Sequence, residues 1–263
     1  MSARQRKTAW PVKKYSPRHA TWPYSDADFA RQDIGVDSDF YSAPRFVAHI
    51  DDAAIASLKE YYDVVLPRKG RILDVCSSWI SHYPYAVEIA AAKGELKIAG
   101  VGMNRAELAA NKVLNSGDII MDLNYEPDVF EVLVKEHVVG ESEEEMLDAS
   151  TNVVSIDYLT RPVDVLQSLR TATKVGGTVH LVISNRCFPT KAVDRWLNIN
   201  EDERLLMVGD YLHFAGWKDI EIVELSDGKP PEGPTQAGLG NFLSGIIGMG
   251  GRDPLWVVRA NKV

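Results

Sequence analysis

The sequence predicts a doubly wound α/β domain built on a mostly parallel, seven-stranded sheet whose last strand runs antiparallel. Three observations predict it. Apolar strand-like runs alternate with helical patterns along most of the chain, the order that gives a parallel sheet with helices on both faces. The last two strand-like runs break that order. A Gly/Pro-rich stretch from Asp227 to Gly251 joins them, whereas a parallel crossover wants about a dozen ordered residues, usually a helix. Finally, a chain of 263 residues with 45% hydrophobic and 25% charged residues can close one soluble core without disulfide or metal staples.

Each element follows from local pattern. Asp51 to Tyr62 predicts an amphipathic helix, with Ile55, Leu58 and Tyr62 at helical spacing and Asp51 as its cap. Pro67 and Gly70 punctuate the chain before Arg71 to Cys76, a short apolar run ending in small polar residues that reads as a buried strand. Tyr85 to Lys93 reads as a helix stopped by Gly94. Lys97 to Gly102 is the second strand, Arg105 to Lys112 a short helix and Asp118 to Met121 the third strand. Residues 126–147, with Glu141, Glu143, Glu144 and Glu145 clustered, predict a helix and then an exposed, solvated acidic loop. Thr151 to Ile156 is the fourth strand, and Pro162 to Thr173 a helix with proline in its first turn. Gly176-Gly177 turns into the fifth strand, Thr178 to Ile183. Lys191 to Trp196 and Glu201 to Phe214 are helical, and Trp217 to Leu225 and Leu255 to Ala260 are the last two strands.

Bulk properties narrow the function. A net charge of −8 argues against a general nucleic-acid binder, which carries a basic face. Only two cysteines occur, Cys76 and Cys187, without metal-ligand spacing, so neither a disulfide nor a metal site is expected. No apolar run reaches the roughly 18 residues that span a bilayer. The segment Met1 to Tyr24 is basic and aromatic but lacks a signal peptide's apolar core, so the chain reads as cytoplasmic. A dehydrogenase-type dinucleotide site needs G-x-G-x-x-G after the first strand and an acid after the second, and neither is present.

The run Leu73-Asp-Val-Cys-Ser-Ser-Trp79, the Asp122 that follows the third strand, and Thr173-Lys-Val-Gly-Gly177 resemble class I S-adenosyl-L-methionine (SAM)-dependent methyltransferases. The nearest likeness is a little-characterised branch with a D-[LV]-C-S-S-W turn in place of the usual D-x-G-x-G-x-G. The resemblance covers about residues 67–263 and implies a Rossmann-like methyltransferase domain there, with residues 1–66 as an arm and lid. It also implies the cofactor S-adenosyl-L-methionine and its contacts. Asp74, Cys76, Ser77 and Ser78 would form the turn beside the cofactor, with Cys76 and Ser78 standing where the family has glycines. Gly102 stands where the family's ribose-binding acid is expected, so Met103 would lie against adenine and Asn104 would reach the ribose. Asp122 and Leu123 would address the adenine edge, and Asn152 the strand tip near the sulfonium. Asp157 and Tyr158 stand where a histidine pair is common and would face the acceptor.

Asp39 to Asp51 packs Phe40, Tyr41, Arg45 and His49 around Pro44, an unusual composition for a loop. Such a segment can close over a bound cofactor. Arg45 or Tyr41 would then touch SAM, since an arginine fork suits a carboxylate, and His49 would be the general base. Asn185 and Arg186, at the end of the fifth strand, are candidate contacts for a polar acceptor. The expected activity is methyl transfer to a small molecule, without nucleic-acid or membrane partners. The alternative is a catalytically inactive methyltransferase-like scaffold or ligand-binding protein, favoured by the altered turn. The glycine-rich segment from Gly238 to Gly251 is either a substrate gate or a contact in a homodimer.

Overall fold

The computed structural model of the chain describes residues 10–140, 142–229 and 252–263. The glycine-rich segment read as a gate or dimer contact lies outside the described residues. Among the described residues, eight strands form one sheet: β1 (Val12–Lys14), β2 (Gly70–Val75), β3 (Leu96–Gly102), β4 (Gly117–Ile120), β5 (Leu147–Val153), β6 (Thr173–Ser184), β7 (Lys218–Ser226) and β8 (Leu255–Asn261). Their spatial order is β1-β7-β8-β6-β5-β2-β3-β4. The pairs from β4 through β6 are parallel, and β8 runs antiparallel to both its neighbours. The seven strands expected from sequence are all present, with the last one antiparallel as expected.

Eight helices accompany them among the described residues: α1 (Asp37–Phe40), α2 (Asp52–Val65), α3 (Tyr85–Ala92), α4 (Arg105–Ala110), α5 (Val129–Lys135), α6 (Pro162–Ala172), α7 (Asp194–Asn198) and α8 (Glu201–Phe214). Side chains alternate across the sheet and build a core on each face. On one face Leu73, Val101, Leu181 and Trp217 are buried together; on the other Ile72, Tyr61, Tyr62 and Val182. The chain runs outward from β2 to β3 and β4, then returns to pair β5 on the other side of β2. That reversal leaves a crevice at the carboxyl ends of β2 and β5, where open α/β sheets bind ligands.

Three elements differ from expectation. The fourth expected strand begins earlier, at Leu147, and ends at Val153. The polar Asp148 near its start is paired in place, accepting the Arg71 amide at 2.7 Å and an ion pair from Lys174. At its far end Val154 leaves the ladder with φ 43. The helix expected over Lys191 to Trp196 is α7, starting at Asp194, because Lys191 is fully buried and ion-paired to Asp37 at 3.0 Å and Asp33 at 3.2 Å.

The third difference is β1, an eighth strand contributed by the arm, which adds antiparallel to β7. A buried carboxylate on α8 holds this part of the arm. Asp210 is 0% exposed and accepts Tyr15 and Tyr24 hydroxyls, both at 2.5 Å, and Arg18 at 2.8 Å. These donors keep its pKa below the usual carboxylate value despite burial. Gly209 makes the approach possible, because a Cβ there would overlap the Tyr15 ring.

Candidate functional site

A cavity of about 370 Å³ opens at the crevice beyond β2, β3, β4 and β5, within the ~300–1,000 Å³ usual for small-molecule sites. Its wall starts with the turn after β2. Asp74 is 3% exposed; its carboxylate accepts Ser77 Oγ at 2.7 Å, Ser81 Oγ at 2.6 Å and Thr151 Oγ1 at 3.1 Å. Burial pushes its pKa up while these hydroxyls pull it down. Asn111 donates to the Ser78 carbonyl and Ser81 Oγ, both at 2.9 Å. Side-chain bonds therefore fix the turn that glycines would otherwise shape.

Cys76 stands at the first glycine position and takes the conformation a glycine would, φ 57. A left-handed L-residue costs roughly 1–2 kcal/mol. Burial, with Asp74 nearby, pushes its thiol pKa up to about 12, so it is no nucleophile at neutral pH. The turn then crosses the tip of β3, where the Ser77 amide donates to the Val101 carbonyl at 2.7 Å. A Cβ on Gly102 would come under 3.0 Å from the Ser77 carbonyl oxygen, with Leu108 Cδ2 at 3.1 Å. The altered turn and the missing acid at position 102 thus have one cause: the turn occupies the space an acidic side chain would need.

Asn104 caps α4 by accepting the Ala106 and Glu107 amides at 3.0 and 3.1 Å. Its amide donates to the Tyr41 and Ser42 carbonyls at 2.8 and 3.0 Å. All four of its hydrogen-bonding positions are engaged, so it holds the arm to the sheet and has none left for a ribose. The carboxylate at this edge is Glu107, on α4, which accepts the Arg45 amide at 2.6 Å and Ser78 Oγ at 2.7 Å. Asp122 closes the next corner, using one oxygen for the Asn124 amide at 2.9 Å. Asn124 donates to Asp37 at 2.9 Å, and Asp37 also takes both Arg31 contacts, at 2.8 and 2.9 Å. This network seats the arm over the crevice.

The arm supplies the roof. The Arg45 guanidinium lies over the Phe40, Phe188 and Tyr41 rings at 4.6, 5.5 and 5.7 Å and donates to the Phe40 carbonyl at 2.9 Å. Among the described residues no acid lies within ion-pair distance of it. Burial lowers the His49 pKa, opposed by Glu107 and assisted by Arg45, so its imidazole is neutral at pH 7. His49 meets Phe188 edge-on at 5.5 Å, and Tyr158, stacked on Phe188, accepts the Phe188 amide at 2.8 Å. Arg186 lines the cavity with its guanidinium tied to Asp253 at 2.8 Å.

Thirteen of the sixteen site residues expected from sequence line this one cavity: Tyr41, Arg45, His49, Asp74, Cys76, Ser77, Ser78, Met103, Asn104, Asp122, Leu123, Tyr158 and Arg186. Asn185, exposed at the end of β6, Asn152 and Asp157 do not. Asn152 is 2% exposed and donates to the Val75 carbonyl at 3.1 Å, bracing the β2 tip. Asp157 is 3% exposed, and burial pushes its pKa up to about 8, so it is mainly protonated at pH 7 and holds its proton rather than accepting one. Glu107, His82, Asp37 and Asn124 line the cavity without having been singled out. Glu107 had a signal, its capping-box spacing from Asn104, which marks a helix start as readily as a site. Strain gathers here as well: Cys76, His82 and Val154 have φ values of 57, 55 and 43, and all three line the cavity.

No family model matches the chain, and no curated protein matches it. Solved structures do resemble it in fold. Phosphoethanolamine N-methyltransferase 2 of Haemonchus contortus, in complex with SAM, matches 80% of this chain at 14% identity and a TM-score of 0.44. This chain spans only about half of that protein, 52%. Geranyl diphosphate C-methyltransferase of Streptomyces coelicolor, with bound S-adenosylhomocysteine, matches 86% of this chain and 97% of its own at 13% identity and a TM-score of 0.48. The [4+2]-cyclase SpnF matches 86% of this chain and 91% of its own at 14% identity and a TM-score of 0.49.

Proposed function

We propose that the chain binds SAM in the cavity beyond β2 to β5 and transfers its methyl group to a small-molecule acceptor. The observation that carries this reading is convergence. The turn at Asp74 to Ser78, Met103, and the Asp122-Leu123 pair come from three different strand ends and line one cavity. The lining offers complementary groups for such a cofactor. The Arg45 guanidinium, without an acid among the described residues, would hold the cofactor's carboxylate. The second oxygen of Asp122 would take the adenine amino group, with Met103 and Leu123 against the ring. Glu107 would serve the ribose in place of an acid at position 102.

When bound, SAM supplies an electrophilic methyl group on a sulfonium. The protein's own work is then alignment and exclusion of water, and good alignment can remove roughly 7–11 kcal/mol of barrier. His49 is the proton acceptor for a protonated nucleophile, being neutral and cavity-facing. Residues 1–66 would act as arm and lid on a domain of residues 67–263, in a cytoplasmic protein, without nucleic-acid or membrane partners. Among the described residues no helix is long and apolar enough to cross a membrane.

Equilibrium dialysis with SAM and with decarboxylated SAM tests the reading. Arg45→Ala is expected to weaken SAM about 10- to 150-fold, the range for losing a hydrogen bond to a charged group, and to leave decarboxylated SAM unchanged. Equal binding of SAM by the wild-type and variant proteins would exclude this carboxylate site.

A further inference from the structure

Arg186 stands at the β6 end of the cavity, and the sheet puts it there. The antiparallel register pairs Ser184, at the end of β6, with Leu255, at the start of β8, and Ser184 Oγ donates to the Pro254 carbonyl at 2.9 Å. Continuing that register past both strands sets Arg186 opposite Asp253. There the Arg186 Nε donates to Asp253 Oδ1 at 2.8 Å. Asp253 is itself fixed. It is 5% exposed, its other oxygen accepts the Asp51 amide at 2.9 Å, and its own amide donates to Asp51 Oδ2 at 2.5 Å. Asp51 in turn caps α2 by accepting the Ala54 amide at 2.7 Å. The arm, α2 and β8 therefore hold in place the acid that orients this arginine.

The arrangement leaves the guanidinium available. Its Nε alone is hydrogen-bonded, so both Nη groups lack an acceptor among the described residues. The side chain lines the cavity and is 61% exposed, so a ligand can reach it. The acids of the lining are committed elsewhere. Asp37 pairs with Arg31 and Lys191, Asp74 takes three hydroxyls, and Glu107 takes the Arg45 amide and Ser78 Oγ. Asp122 follows β4, four strand positions from β6, a span of roughly 19 Å at the usual strand spacing. Arg45 is assigned to the cofactor's carboxylate. A second cation, on the side of the cavity away from the adenine corner, calls for a second anion. With Nε held by Asp253, the two Nη groups offer parallel N–H donors, the geometry that suits a planar carboxylate. The charge of Asp253 beside them disfavours a dianion such as a phosphate monoester. Phe188, Val153 and Val154 line the cavity where β5 and β6 end and suit an apolar body.

We propose that Arg186 anchors the acceptor, and that the acceptor is a monocarboxylate with an apolar body, its acid group held by the Arg186 fork. This rests on the methyltransferase reading for the word acceptor; the carboxylate site itself does not. The test is calorimetric titration of the full chain saturated with S-adenosylhomocysteine, with benzoate as probe, benzamide as its uncharged isostere and phenyl phosphate as the dianion. Benzoate is expected to bind wild type about tenfold more tightly than benzamide, the effect of a hydrogen bond to a charged group, and more tightly than phenyl phosphate. Arg186→Gln is expected to melt like wild type, since the side chain is largely exposed and glutamine can still donate to Asp253, and to lose the preference for benzoate. The wild-type comparison stands whatever the stability of the variant. SAM and decarboxylated SAM separate the two arginines: Arg186→Gln should keep the wild-type ratio of their affinities, which Arg45→Ala should lose. Equal binding of benzoate and benzamide by wild type, tighter binding of phenyl phosphate, a benzoate preference that survives in Arg186→Gln, or a fall in SAM relative to decarboxylated SAM in that variant would each overturn the proposal. Absence of S-adenosylhomocysteine binding by wild type, with the benzoate preference still present and lost in Arg186→Gln, would sink the methyltransferase reading alone.

Discussion

Placing an aspartate at position 102 would restore the acid that the methyltransferase pattern expects after the second strand, and it is expected to damage the protein rather than improve it. The obstacle is the Cβ, not the carboxylate. Any side chain there meets the Ser77 carbonyl oxygen under 3.0 Å and Leu108 Cδ2 at 3.1 Å. To make room, Ser77 must leave its amide bond to Val101 at 2.7 Å and its hydroxyl bond to Asp74 at 2.7 Å. The first is worth about 1 kcal/mol net and the second about 1.5–3 kcal/mol because its acceptor is charged, so about 2.5–4 kcal/mol is at stake. Gly102→Ala should lose nearly as much as Gly102→Asp. Urea unfolding of both variants measures the loss, and titration with S-adenosylhomocysteine should find weaker binding in both, since Ser77 and Ser78 line the cavity. A Gly102→Asp protein within about 1 kcal/mol of wild type, binding more tightly, would refute the steric explanation for the missing acid.

Two further substitutions probe the arm and the wall. Asp210→Ala strands two buried tyrosine hydroxyls and Arg18, and is expected to cost about 3–5 kcal/mol in urea unfolding and to expose the arm to limited proteolysis. Because the folded pKa of Asp210 is depressed, its contribution is full above about pH 4–5 and is lost as pH falls through the folded value, so the variant should show a flatter acid limb. Asp157 has the opposite sign. Its pKa is raised to about 8, so its contribution to stability is full below about pH 4 and is lost as pH rises toward 8, a loss that Asp157→Asn should remove in melting curves taken from pH 5 to 8. An unchanged pH profile in that variant would show that Asp157 is not the titrating group.

Strand order and the antiparallel end were legible because they depend on hydrophobic runs and on one missing crossover helix, both local features. The turn after β2 was legible as a departure but not as a solution. That Ser77, Ser81, Asn111 and Thr151 together replace three glycines requires residues up to 77 positions apart to meet at Asp74. The strand β1 was missed because three exposed residues, Val12–Lys14, carry almost no alternation and pair only because Asp210 and Tyr15 anchor the arm. Asn104 looked free for a ribose because its helix-capping role and its bonds to the Tyr41 and Ser42 carbonyls are tertiary facts. Asp157 carried the chemistry of a base in sequence and lost it through burial, which a single residue type does not announce.

The most direct measurement is calorimetric titration of the purified chain with S-adenosylhomocysteine, alongside Asp122→Ala. Asp122 contributes one oxygen to a local turn bond and leaves the other to the cavity, so its loss should spare the fold. One-to-one binding by the wild type, weakened tenfold or more in a variant of unchanged melting temperature, is the expected result. No binding by well-folded wild type, or equal binding by both proteins, would contradict a cofactor site at this cavity.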